Sequence, residues 1–132
     1  MIRKLVCLCL VATSFAIASV TAGEVASHKE RMDTAEDLKA DLKDALDAGS
    51  AAKAGQSADQ LTKVLEQEEQ YWIKTKLDDA IALAKTNRSD AQQLATDAKA
   101  GKIDDAKTVY KQLEKTCTDC HGLHPEQRVK PE

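Results

Sequence analysis

From Glu24 to Thr116 the chain contains no proline, and over that span glycine occurs only at positions 49, 55 and 101. Ala, Leu, Lys, Glu, Gln and Asp dominate, all but Asp being good helix formers, and no strand-like alternation interrupts them. Such a segment has little chemical reason to leave the helix except at its glycines, so the chain is expected to be all-α with glycine as its punctuation. The first helix is predicted from about Val25 to Ala48, with Val25, His28, Met32, Ala35, Leu38, Leu42 and Ala45 spaced by three and four along one stripe. Gly49 stops it, and 49–55 reads as a linker rich in Ala and Gly. The last helix is predicted from about Lys102 to His121, with Ile103, Ala106, Tyr110, Leu113, Cys117 and His121 on its stripe and Gly122 and Pro125 ending it.

Residues 57–100 lack both glycine and proline. The stretch is about twice the span from Met32 to Gly49 or from Gly101 to His121, each on the order of 26 to 30 Å at the helical rise, so it should fold back once. Equal helix lengths put the turn within Trp72 to Asp79, with Thr75 or Asp78 as N-cap; a competing break is Thr86-Asn87-Arg88-Ser89, where Ser89 and Gln92 could form a capping box. Four antiparallel helices with short links make an up-down-up-down four-helix bundle, a fold that builds cofactor sites between facing helices.

Residues 1–22 have the pattern of a secretory signal: Arg3 and Lys4, an apolar run from Leu5 to Val20, and the small residues Val20-Thr21-Ala22, with Ala18 as a second possible cleavage point. The run is short for a membrane span, and none is expected once the signal is removed. What remains, 23–132, is expected to be one domain exported to the bacterial periplasm. Losing Arg3 and Lys4 takes Lys plus Arg from 19 to 17 against 22 acids, a formal charge of −5. That acidity speaks against nucleic acid as a partner. Cys7, Cys9 and Met1 leave with the signal, so only Cys117, Cys120 and Met32 carry sulfur afterwards.

Cys117-Thr-Asp-Cys120-His121 is a C-x-x-C-H motif, the signature of covalent haem attachment through two thioethers with the histidine on the iron. On a helix, positions 117, 120 and 121 share one face, so all three can grip one side of a flat porphyrin. A redox dithiol would want a βαβ setting that this sequence lacks. Cys117, Cys120, His121 and His124 also make a zinc-type donor set, but a zinc finger separates its pairs by about a dozen residues. A disulfide between Cys117 and Cys120 would close almost no loop and contribute little. Haem also suits the composition, because the exported part has no Phe, one Trp and two Tyr, and a porphyrin would supply missing apolar volume.

In this topology the first helix begins where the fourth ends, which brings Met32 near His121 and makes its thioether the expected second iron ligand. The plainer role for Met32 is core filler. His28 is the rival ligand, although its ordinary reading is a surface histidine near a frayed end. His124 is expected in the exposed tail, and Lys29 and Arg31 are candidate partners for the haem propionates.

The stretch from Gly101 to His121 resembles the fourth helix of cytochrome b562, and Met32-Asp-Thr-Ala-Glu-Asp-Leu resembles its first helix, so the chain looks like the four-helix-bundle cytochrome family that also holds cytochrome c′. The resemblance implies Met32 and His121 as axial pair. Cys117 and Cys120, which the b-type member lacks, imply a covalent haem c. The expected function is a one-electron carrier serving redox partner proteins, not an enzyme, as monomer or homodimer. The alternative is a c′-like protein with an open distal face that binds nitric oxide or carbon monoxide.

Overall fold

The computed structural model of the protein describes residues 22–125, with side chains from His28 onward. The expected signal segment lies outside the described residues apart from Ala22. Four helices follow in order: α1 (Ala22–Asp47), α2 (Ala51–Thr75), α3 (Asp78–Lys99) and α4 (Ile103–Leu123). They form an all-α antiparallel bundle with short links, and no described helix is long and apolar enough to cross a membrane.

At one end of the bundle, glycine closes both links. Gly49 takes φ +67° after α1 and Gly101 takes φ +76° after α3, values that cost a residue with a side chain but not glycine. Each completes a Schellman pair: Gly49 and Ser50 donate to the carbonyls of Leu46 and Ala45 at 3.1 and 2.8 Å, and Gly101 and Lys102 donate to Ala98 and Asp97 at 3.0 and 2.9 Å. The 49–55 linker is shorter than the sequence suggests. Ser50 is the N-cap residue, α2 starts at Ala51, and Gly55 lies buried inside the helix, where an added Cβ would stand 2.8 Å from Lys99 Cγ.

At the other end, α2 and α3 are joined by Lys76 and Leu77, inside the range favoured by helix length. Neither Thr75 nor Asp78 caps α3. Leu77 occupies the N-cap position without a side-chain hydrogen bond, Thr75 donates back to the Trp72 carbonyl at 2.8 Å, and Asp78 and Asp79 place negative charge in the first turn. Lys76 turns the chain with φ +59°, its N–H donating to Trp72 and Ile73 carbonyls. The competing break at 86–89 does not occur. Those residues continue α3, and Arg88 reaches Gln92 on its own helix and Glu69 on α2.

Helix α4 runs one residue past Gly122, which stays helical. His124 donates its N–H to the Cys120 carbonyl at 2.9 Å and leaves the helical region, as the residue before a proline must. Pro125 is thus the stop, and Gly122 is not.

The core is aliphatic and small. Leu42, Leu46, Leu61, Leu94 and Leu113 are its largest fully buried side chains, and Ala54, Ala58, Ala91, Ala98 and Ala106 let the backbones approach between them. A second cluster of Tyr71, Trp72, Ala80 and Ala84 sits at the α2–α3 turn, so two of the three Trp and Tyr rings gather at that end. Helix α1 packs along α2, α2 along α3, and α3 along α4, whereas α1 and α4 meet at far fewer places. The bundle is therefore parted along one seam.

Candidate functional site

That seam is where the motif residues converge. Cys117, Cys120 and His121 lie on one face of α4, as their spacing requires, and all three line a cleft between α4 and α1. From α1, His28 and Met32 line the same cleft, with Glu36 and Lys39 farther along the helix. Leu61, Leu65, Glu68 and Trp72 of α2 form its floor together with Ala84 and Asn87 of α3. The space between the walls is about 640 Å³ including the open mouth. It forms a slot with mostly apolar walls. Leu113, at the deep end, is fully buried.

Cys117 and Cys120 are unbridged thiols, each partly buried. Burial pushes the Cys117 thiol up to about 11, with nearby Glu36 and Glu114 adding to the shift and Lys39 opposing it. Cys120 is also raised, first by burial and then by the carboxylates of Glu68 and Asp79. A redox dithiol needs the opposite, a thiolate stabilised by positive surroundings. Among the described residues no three His, Cys, Asp or Glu side chains converge as a metal cage would require, so Cys117, Cys120, His121 and His124 do not form a four-ligand zinc site.

Two histidines stand elsewhere than expected. His28 is not a surface residue: it is 5 % exposed, its ring stacked on Tyr71 at 4.7 Å and 19° and set edge-on to Trp72 at 5.5 Å and 77°. Its Nδ1 lies 2.6 Å from Glu68 Oε1, at ion-pair distance, and among the described residues neither Nδ1 nor the buried Nε2 has a hydrogen-bond partner. His124 is not in an exposed tail. It is buried against Trp72, ring centroids 5.5 Å apart, with Nε2 3.1 Å from Asp79 Oδ2. The aromatic floor decides both outcomes, because it offers each imidazole an apolar face while Glu68 and Asp79 take the polar edge.

Arg31 and Lys29 are not at the slot. Arg31 donates from Nε to Glu68 Oε2 at 3.0 Å and covers the Tyr71 ring at 5.4 Å, and Lys29 pairs with Asp33 at 3.0 Å on the exposed side of α1. Glu68 is 4 % exposed and holds both His28 and Arg31, so it ties α2 to the first turns of α1. Between the parted helices the Tyr110 hydroxyl on α4 lies 3.2 Å from the Lys39 carbonyl on α1 and 3.0 Å from Glu114 Oε1. Burial and then the Glu114 carboxylate hold that hydroxyl well above the ordinary tyrosine range.

Sequence reasoning missed Glu68, Trp72, Asn87 and Lys39. Glu68 and Lys39 look like any charge on a solvent face, and only the presence of two neighbouring aromatics, Tyr71 and Trp72, marks this part of α2 as unusual. Asn87 Oδ1, buried in the cleft wall, has no hydrogen-bond partner among the described residues. The donor set fits a haem: two thiols and an imidazole on one wall, a thioether and an imidazole on the other, and an apolar slot between them. No protein-family model, curated protein or solved structure matches the chain.

Proposed function

We propose that the cleft between α1 and α4 holds one haem c, attached to Cys117 and Cys120, with His121 as one axial ligand and Met32 as the other, and that the protein carries single electrons in the bacterial periplasm. The observation that carries this reading is the convergence of the C-x-x-C-H residues with Met32 across the one seam at which the bundle is open. The haem supplies an iron that cycles between Fe(II) and Fe(III). The chain's own residues do the rest. Leu61, Leu65 and Leu113 keep water from the slot. The two cysteines hold the group on α4, and His121 and Met32, from opposite walls, leave no position for substrate. A cage of packed helices changes shape little, which suits electron transfer better than catalysis. Partners would be redox proteins docking at the acidic surface, with the chain acting as monomer or homodimer.

A second reading is a gas-binding protein with the distal position open. The buried side-chain amide of Asn87 in the cleft wall favours it, since its N–H group could donate to a bound diatomic ligand. One preparation separates the two. The exported protein should carry haem mass that survives denaturation, and its spectrum should be six-coordinate and low-spin with a far-red methionine band in the ferric form. A high-spin spectrum that responds to carbon monoxide supports the gas-binding reading, and a colourless protein with the mass of the bare polypeptide refutes both.

A further inference from the structure

We propose that His28 is a second iron-ligating residue of the distal wall, one that takes the sixth position whenever Met32 does not hold it. The inference rests on the haem reading above and goes beyond it.

Four observations carry it. His28 lies four residues before Met32 on α1, so both point from one face into one cleft. It is also level with His121: His28 stands 19 residues from the α1 terminus at Asp47, and His121 stands 18 from the α4 start at Ile103, both measured from the same end of the bundle.

His28 is also prepared as ligating histidines are. Such a histidine commits one ring nitrogen to a carboxylate, which fixes the ring and leaves the other nitrogen for the metal. Glu68 Oε1 stands 2.6 Å behind Nδ1, and Glu68 is itself held by Arg31 through Oε2 at 3.0 Å. Tyr71 and Trp72 clamp the ring from face and edge.

Finally, Nε2 is buried and, among the described residues, has no hydrogen-bond partner. Buried polar atoms are almost always paired. With its Nδ1 edge turned to Glu68, an Nε2 left bare in a slot lined by haem-attachment cysteines has a use when that slot is filled.

The test is Met32→Leu, which keeps the volume of the side chain and removes the thioether, made in the full haem-loaded chain and checked for unchanged helical content. The expected ferric spectrum loses the far-red methionine band and stays low-spin, with the lower potential of two nitrogen ligands. Met32→Leu combined with His28→Phe, which retains the stack on Tyr71, should then be high-spin and bind carbon monoxide. A high-spin Met32→Leu protein overturns this inference and leaves the haem reading standing. So does a double variant that remains low-spin. A native chain without covalent haem overturns both.

Discussion

Alkylation of the haem-free chain probes the slot without any cofactor. Burial holds the Cys117 thiol at about 11, against 9.0 for an unperturbed thiol. Only the thiolate reacts, so at neutral pH a shift of that size makes Cys117 about 100-fold slower toward iodoacetamide than the same thiol in the unfolded chain. Cys120, with more access to solvent, is raised less and should be labelled first. The same shift has a consequence for stability. Between pH 9 and 11 the unfolded chain has lost the Cys117 proton while the folded chain keeps it, so fewer protons are bound in the unfolded state and stability falls as pH rises. The contribution is complete below pH 9 and is lost as pH passes through about 11, on the order of 2 kcal/mol. Pulse alkylation mapped by mass spectrometry gives the rates, and urea unfolding at pH 8 and pH 10 gives the energies. Once both sulfurs are thioethers, the alkaline loss should disappear. Equal labelling of Cys117 in native buffer and in urea would refute the burial of this thiol and with it the slot. A thiol so desolvated also reacts slowly with haem unaided, so attachment should depend on assembly machinery in the cell.

Further perturbations test the frame around the slot. Glu68→Ala leaves Arg31 and His28 without their buried carboxylate and should cost about 3 to 5 kcal/mol in urea unfolding, far more than an exposed pair such as Lys29 with Asp33. Tyr110→Phe removes the hydroxyl that links α4 to the Lys39 carbonyl of α1 and should cost about 1 kcal/mol by the same assay. Gly55→Pro, harmless in a linker, removes an N–H inside α2 and should cost about 3 kcal/mol in thermal or urea melts. Lys76→Gly should stabilise by about 1 kcal/mol, because φ +59° strains lysine and not glycine; an unchanged melting curve would place the turn elsewhere.

The helices and both glycine turns were legible because they depend on local chemistry. Gly49 and Gly101 adopt conformations that few other residues take, and each leaves its mark in a sequence that has only three glycines between Glu24 and Thr116. The α2–α3 turn was legible only as a range. Lys76 makes it without glycine or proline, and tertiary packing of Trp72 and Ala80 outweighs the strain of a left-handed lysine. Gly55 misled for the converse reason. Glycine is tolerated inside a helix where a neighbour presses close, and Lys99 does so here.

At the site, spacing alone determined that Cys117, Cys120 and His121 share a face, since the 3.6-residue period leaves no other arrangement on a helix. Topology, also read from the sequence, brought Met32 to the same end. What only the tertiary structure decided is the environment of the polar groups: that His28 and His124 are buried, that Glu68 pairs with Arg31 through Nε, and that the bundle opens between α1 and α4 and nowhere else among its adjacent pairs. Burial of a polar side chain depends on partners far away in the chain, here Glu68, Tyr71 and Trp72 for His28 and Asp79 for His124, and no local pattern records them.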